Sequence, residues 1–121
     1  MKPLKILVIG AGALGLLIAG LISYNGGAVT LFSRRPEAVE YVSKNGIKIV
    51  AQKTEYISRV ECTSLIERDK KYDLAIVTVK SYDTPEIAKL LSEKLNTNTQ
   101  VLTLQNGLGN AETLARHLGQ Q

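Results

Sequence analysis

The sequence predicts an α/β fold: a doubly wound, mainly parallel sheet with helices on both faces. Three observations carry that expectation. Short apolar, β-branched runs alternate with segments of helical periodicity along the whole chain, the pattern of a parallel sheet covered on two sides. Leu74-Ala75-Ile76-Val77-Thr78-Val79 is apolar almost without interruption, as a central strand buried on both faces must be. The first apolar run passes directly into Gly10-Ala11-Gly12-Ala13-Leu14-Gly15, a glycine spacing that suits a sharp turn from a strand into a helix.

Leu4 to Ile9 is the first strand, and the first helix is expected from about Ala13 to Tyr24. It closes at Asn25-Gly26-Gly27, glycines suited to a left-handed C-cap. Ala28 to Phe32 is the second strand. Pro36 stands where a helix begins, and Glu37 to Lys44 forms a short helix ending at Asn45-Gly46. Ile47 to Ala51 reads as a third strand, and Thr54 to Val60 alternates like a half-exposed strand that pairs with it in a small hairpin. The pattern between Gln52 and Arg68 is otherwise weak. After the Leu74 run, Asp83 or Thr84 caps a helix with Pro85 in its first turn and an apolar stripe of Ile87, Leu90, Leu91 and Leu95. Gln100 to Leu104 makes a strand and Asn110 to Leu118 a last helix.

With 121 residues the chain is sized for one domain, residues 1–121, and its 45% hydrophobic and 21% charged content is ordinary for a globular protein. The apolar stretch Ala11 to Ile22, about twelve residues, is too short to span a bilayer, which needs roughly 20. A signal peptide is rejected because the glycine motif splits the apolar segment and Tyr24-Asn25-Gly26-Gly27 continues into another strand. One cysteine, Cys62, cannot form an internal disulfide, which suits a reducing, cytoplasmic setting. The net charge of +4 comes from 15 Lys and Arg against 11 Asp and Glu; the basic residues are scattered, with Arg34-Arg35 the only pair at a predicted functional edge, and five Tyr and one Phe offer little for base stacking, so nucleic acid is a poor partner. Mild positive charge suits an anionic cofactor equally well.

The glycine motif lies after a strand, before a helix and within a strand-helix-strand unit, which is the context of a dinucleotide site of Rossmann type. The first glycine turns the chain out of the strand, the second lets backbone approach a pyrophosphate, and the third lets the helix pack closely. Phosphate would then sit at the helix N-terminus, on unpaired N–H groups. Candidate contacts are Gly10, Gly12, Ala13, Leu14 and Gly15. Sequence order puts the first strand beside the Leu74 strand where the winding reverses, with a crevice outside their carboxyl ends.

An NAD site places an acid about 20 residues beyond the glycines, at the end of the second strand, for the ribose hydroxyls. Here no acid occurs between Gly10 and Pro36, and the strand ends in Ser33-Arg34-Arg35. A guanidinium fork holds a 2′-phosphate that a carboxylate would repel, which favours NADP(H). Arg34 is the better candidate of the pair, with Ser33 as an additional donor; a merely solvated charge pair is the bland alternative.

Lys80 follows the Leu74 strand and Asn106 the Gln100 strand, both toward the same crevice. An ammonium there can meet a carboxylate or phosphate, and an Asn held by Gly107 can bond a carbonyl or amide. A solvated strand end and a plain Asn-Gly turn are the alternatives. His117, the only histidine, reads as a surface residue, Cys62 as inert and Asp83 as a cap. No Cys/His cluster for a metal and no Ser-His-Asp set is recognisable.

Three segments match one family together: Gly10-Ala11-Gly12-Ala13-Leu14-Gly15, Val79-Lys80-Ser81-Tyr82-Asp83-Thr84, and Leu104-Gln105-Asn106-Gly107-Leu108-Gly109-Asn110. The chain resembles the N-terminal domain of the ketopantoate reductases, over essentially its full length. The resemblance implies NADPH-dependent reduction of a small keto acid, 2-dehydropantoate, to pantoate on the way to pantothenate and coenzyme A. It gives Arg34 the 2′-phosphate and brings Lys80 and Asn106 near the nicotinamide and substrate. It also implies a second, helical domain carrying a general-acid lysine and a substrate-binding carboxylate. No catalytic residue is therefore assigned within the chain, which is expected to be a truncated protein or isolated cofactor domain that binds nucleotide without turning over alone. Alternatives are a non-enzymatic regulatory module that senses bound nucleotide, and an NADP-linked reductase of a related 2-keto or β-hydroxy acid. A homodimer is left open.

Overall fold

The structure is a computed structural model that describes residues 4–66, 71–79, 84–95 and 98–104. Seven strands and three helices follow one another as β1 (Lys5–Ile9), α1 (Ala13–Tyr24), β2 (Ala28–Phe32), α2 (Pro36–Asn45), β3 (Ile47–Ala51), β4 (Thr54–Ser58), β5 (Glu61–Thr63), β6 (Leu74–Val77), α3 (Thr84–Lys94) and β7 (Gln100–Thr103) among the described residues. Five strands form one sheet in the order β5-β2-β1-β6-β7, every described pair parallel. β3 and β4 form a separate antiparallel hairpin.

Why β1 is central follows from its residues. Leu7, Val8 and Ile9 are all fully buried, and consecutive strand residues point to opposite faces, so both faces of the sheet are covered there. Leu7 and Ile9 join Ala75 and Val77 of β6 and Ile87, Ala88 and Leu91 of α3 in one core. Val8 joins Leu31 of β2, Ala19 of α1, Val42 of α2 and Ile47 and Ile49 of the hairpin in the other. Burying each large aliphatic side chain contributes about 1.5–3 kcal/mol, so these two clusters dominate the stability of the sheet.

The expected stripe of α3 is present: Ile87 and Leu91 are buried, with Leu90 and Leu95 packed against them. Helix α1 buries its small residues, Gly15 and Ala19 against the sheet and Gly20 against Ile47 and Ile49 of the hairpin, which lets it lie close to both. The hairpin is fastened to it by Ser58, whose buried hydroxyl donates to the Gly20 carbonyl at 2.8 Å, and by Tyr56 stacked on Tyr24 with ring centroids 4.1 Å apart.

Three differences from the sequence reading stand out. β5 was not foreseen; it pairs with β2 from Thr30↔Glu61 to Phe32↔Thr63 at the sheet edge. The hairpin's second strand ends at Ser58, so Arg59 and Val60 lie in the connection to β5. β6 ends at Val77, two residues early, yet Thr78 still donates its N–H to the Ile9 carbonyl at 2.9 Å, so only the boundary moves. The expected last helix, with Asn110, His117 and Leu118, lies outside the described residues, as does Asp83.

Among the described residues no helix is long and apolar enough to cross a membrane. Cys62 of β5 is a free, half-buried thiol. Desolvation pushes its pKa up, against a smaller opposing effect of a backbone hydrogen bond from Thr63. At pH 7.5 iodoacetamide should therefore label Cys62 severalfold more slowly in the native chain than in urea. The native rate should keep climbing with pH after the unfolded chain's has levelled off; equal rates at every pH would contradict this.

Candidate functional site

β1 and β6 lie side by side and end together, with Ile9 opposite Val77. From β1 the chain leaves through α1 toward β2, and from β6 it leaves through α3 toward β7, in opposite directions across the sheet. Such a reversal leaves a crevice at the carboxyl ends, because no crossover covers it. A cavity of about 590 Å³ occupies that place, lined among others by Gly10, Gly12, Ser33, Arg34, Thr78 and Ile87.

The three glycines of the turn differ in what surrounds them. Gly10 has φ +113°, a conformation that L side chains rarely adopt, and its N–H donates to the Phe32 carbonyl at 2.9 Å. Gly15 faces the strand so closely that a Cβ would lie 1.8 Å from the Gly10 carbonyl oxygen and 2.8 Å from Thr78 Oγ1. Gly12 has an ordinary φ of −78°, and a Cβ there would meet nothing within 4 Å. Fold geometry requires the first and third; nothing among the described residues requires the second, which lines the open cavity.

Gly12 is also the N-cap of α1, with no side-chain capping bond and no acid in the first turn. The N–H groups of that turn have no acceptor within the helix, and no acid of the turn itself offsets the positive end of its dipole. An anion is the natural complement of such an end.

At the neighbouring corner, Ser33 is buried at 5% exposure, and its N–H donates to the Thr63 carbonyl at 3.0 Å. Its hydroxyl oxygen accepts from the Arg35 N–H at 3.2 Å, which fixes the turn from β2 into α2. Arg34 leaves that turn with its guanidinium bonded and ion-paired to Glu86 in the first turn of α3.

Of the residues singled out in the sequence, Gly10, Gly12, Ser33 and Arg34 are brought together around the cavity. Ala13 and Leu14 are exposed in the first turn of α1 and Gly15 is buried beneath them; these three do not line it. Lys80 and Asn106 lie outside the described residues. Sequence reasoning missed Thr78, whose hydroxyl donates to the Ile9 carbonyl at 2.8 Å under the glycine turn. Its signal was available: Thr78 is the single polar residue in the run Leu74 to Val79. Ile87 and Glu86 were also missed as parts of the site, because only topology brings α3 to this corner. Among the described residues no group of three or more His, Cys, Asp or Glu is placed to hold a metal ion.

A parallel sheet of this strand order, with a glycine turn at its reversal point, defines a Rossmann-type domain of the kind dehydrogenases use. The ternary structure of D-mandelate dehydrogenase with NADH and anilino(oxo)acetate shares this fold, with a TM-score of 0.82 at 24% identity over 94% of this chain and 37% of that one. The chain belongs to the ketopantoate reductase family: the family described as Ketopantoate reductase PanE/ApbA matches residues 6–121. It is 36% identical over 116 residues to 2-dehydropantoate 2-reductase of Halobacterium salinarum, covering 95% of this chain and 38% of that protein. With the enzyme of the same name from Archaeoglobus fulgidus it shares 38% identity over 117 residues, 97% of this chain and 37% of the relative. A crystal structure of a PanE/ApbA family ketopantoate reductase from Ralstonia eutropha JMP134 superposes with a TM-score of 0.84 at 32% identity, over 93% of this chain and 37% of that chain. The chain thus spans a little over a third of the length of these relatives.

Proposed function

We propose that the chain is the NADPH-binding domain of a 2-dehydropantoate 2-reductase. The observation that carries the cofactor is the pairing of Gly12 with Arg34 at one cavity. Gly12 leaves open space on the cavity side of an uncapped helix end suited to a pyrophosphate. Arg34 ends the strand where an NAD site would carry an acid, and its planar fork matches a phosphate bidentately. Family membership supports the substrate, a 2-keto acid.

NADPH supplies the hydride for the keto carbon when bound. The chain's own residues bind and orient it: the glycine turn and the α1 N-terminus hold the pyrophosphate, and Arg34, with Ser33 beside it, holds the 2′-phosphate. Lys80 and Asn106 are assigned to the nicotinamide and substrate from the motif resemblance. The resemblance puts the proton donor in a second domain, and the share proposed for residues 1–121 is to bind and orient the nucleotide. A reducing, cytoplasmic setting suits that role.

Binding of NADPH and NADH measured by calorimetry tests the reading. Arg34→Ala should weaken NADPH by about 2 kcal/mol, roughly thirtyfold, the range of a hydrogen-bonded charged group, and leave NADH nearly unchanged. Equal affinities for the two nucleotides in both proteins would sink it. Tight NADH binding with poor NADPH binding would favour a nucleotide-sensing regulatory module instead.

A further inference from the structure

We infer that Glu86 is an internal competitor of the cofactor's 2′-phosphate for Arg34, and so sets the affinity of the site for phosphorylated nucleotide. This rests on the NADPH reading above and adds a residue to it from across the crevice. Arg34 and Glu86 are 52 residues apart in sequence, one after β2 and the other in the first turn of α3, and their side chains are joined. Ile87, next to Glu86, lines the same cavity as Arg34, so the ion pair bridges two walls of the crevice. A 2′-phosphate that reaches Arg34 must displace or share with this carboxylate.

Charge and exposure decide which anion wins. Both side chains are well exposed, 44% for Arg34 and 72% for Glu86, so the pair is screened by solvent and opens readily. A phosphate monoester brings a charge of about −1.5 to −2 and three acceptor oxygens, against a single charge on the carboxylate. Once displaced, Glu86 keeps a favourable position, because an acid in the first turn of α3 meets the positive end of that helix dipole. NADH, with a neutral 2′-hydroxyl, offers Arg34 no anion and leaves the pair in place. Glu86 therefore costs NADPH some affinity without affecting NADH through Arg34.

The experiment is a cycle of this chain with Glu86→Gln, Arg34→Ala and both, titrated with NADPH and with NADH. Glu86→Gln should tighten NADPH about threefold, the scale of an exposed pair, with NADH unchanged. In the Arg34→Ala background the same substitution should do nothing. Unchanged or weaker NADPH binding in Glu86→Gln, or equal tightening with Arg34 absent, overturns the competitor role while the NADPH reading stands if Arg34→Ala still costs NADPH alone. If Arg34→Ala affects neither nucleotide, both fall together.

Discussion

Gly15→Ala is expected to lower the melting temperature of the chain by about 8 °C or more, the largest effect of any single methyl group in the glycine turn. Two effects oppose each other. Alanine is the better helix former by about 1 kcal/mol, and Gly15 sits inside α1. The added Cβ, however, would stand 1.8 Å from the Gly10 carbonyl oxygen, and that oxygen is backbone, unable to rotate aside. Thr78 Oγ1, 2.8 Å away, is itself held by the Ile9 carbonyl. Relief requires moving α1 off β1 at the point where both cores meet the turn, and overpacking on that scale costs about 3 kcal/mol or more. The clash outweighs the propensity, leaving a net loss of at least about 2 kcal/mol from a stability of only 5–15. Thermal unfolding followed by far-UV circular dichroism reads this directly, and an unchanged or raised melting temperature would refute the close approach.

How far the sequence reveals this molecule depends on whether a residue's environment is local. β1 and β6 are legible because burial on both faces forces every position to be apolar, and Leu7-Val8-Ile9 and Ala75-Ile76-Val77 are. The β3–β4 hairpin is legible by alternation, with Ile47 and Ile49 buried and Lys48 between them exposed. β5 is not, since Glu61-Cys62-Thr63 is too short to show a period and earns its place only by pairing with β2. At the site the same division holds. The glycine turn and Arg34 announce themselves by position relative to strands one and two. Glu86 does not, because its meaning comes from Arg34, and the contact between β2's end and α3 exists only once β6 has entered beside β1. Thr78 lies between these cases: its polarity within an apolar run is visible, but its partner, the Ile9 carbonyl, is a product of the register.

Gly12→Ala should do the reverse of Gly15→Ala, leaving the fold intact while weakening NADPH binding by roughly ten- to a hundredfold, about 1–3 kcal/mol of steric conflict. The backbone at Gly12 is extended on the negative-φ side, which alanine adopts freely. An added Cβ meets no atom of the described residues within 4 Å, so no packing there is lost or forced, and exchanging glycine for alanine at an N-cap costs the helix about 1 kcal/mol. If the space beside Gly12 is simply solvent, the substitution is silent in every binding assay. If it is where a pyrophosphate rests against the start of α1, one methyl group holds the phosphate away from the N–H groups it must reach, and both NADPH and NADH lose affinity together. That shared loss separates it from Arg34→Ala, which should affect NADPH alone. A Gly12→Ala chain that melts within about 5 °C of the parent, on the scale of a lost cap preference, yet binds both nucleotides poorly would fix the role of the motif. Undiminished binding of both would mean that the turn is glycine-rich for the sake of the fold and that the phosphates lie elsewhere.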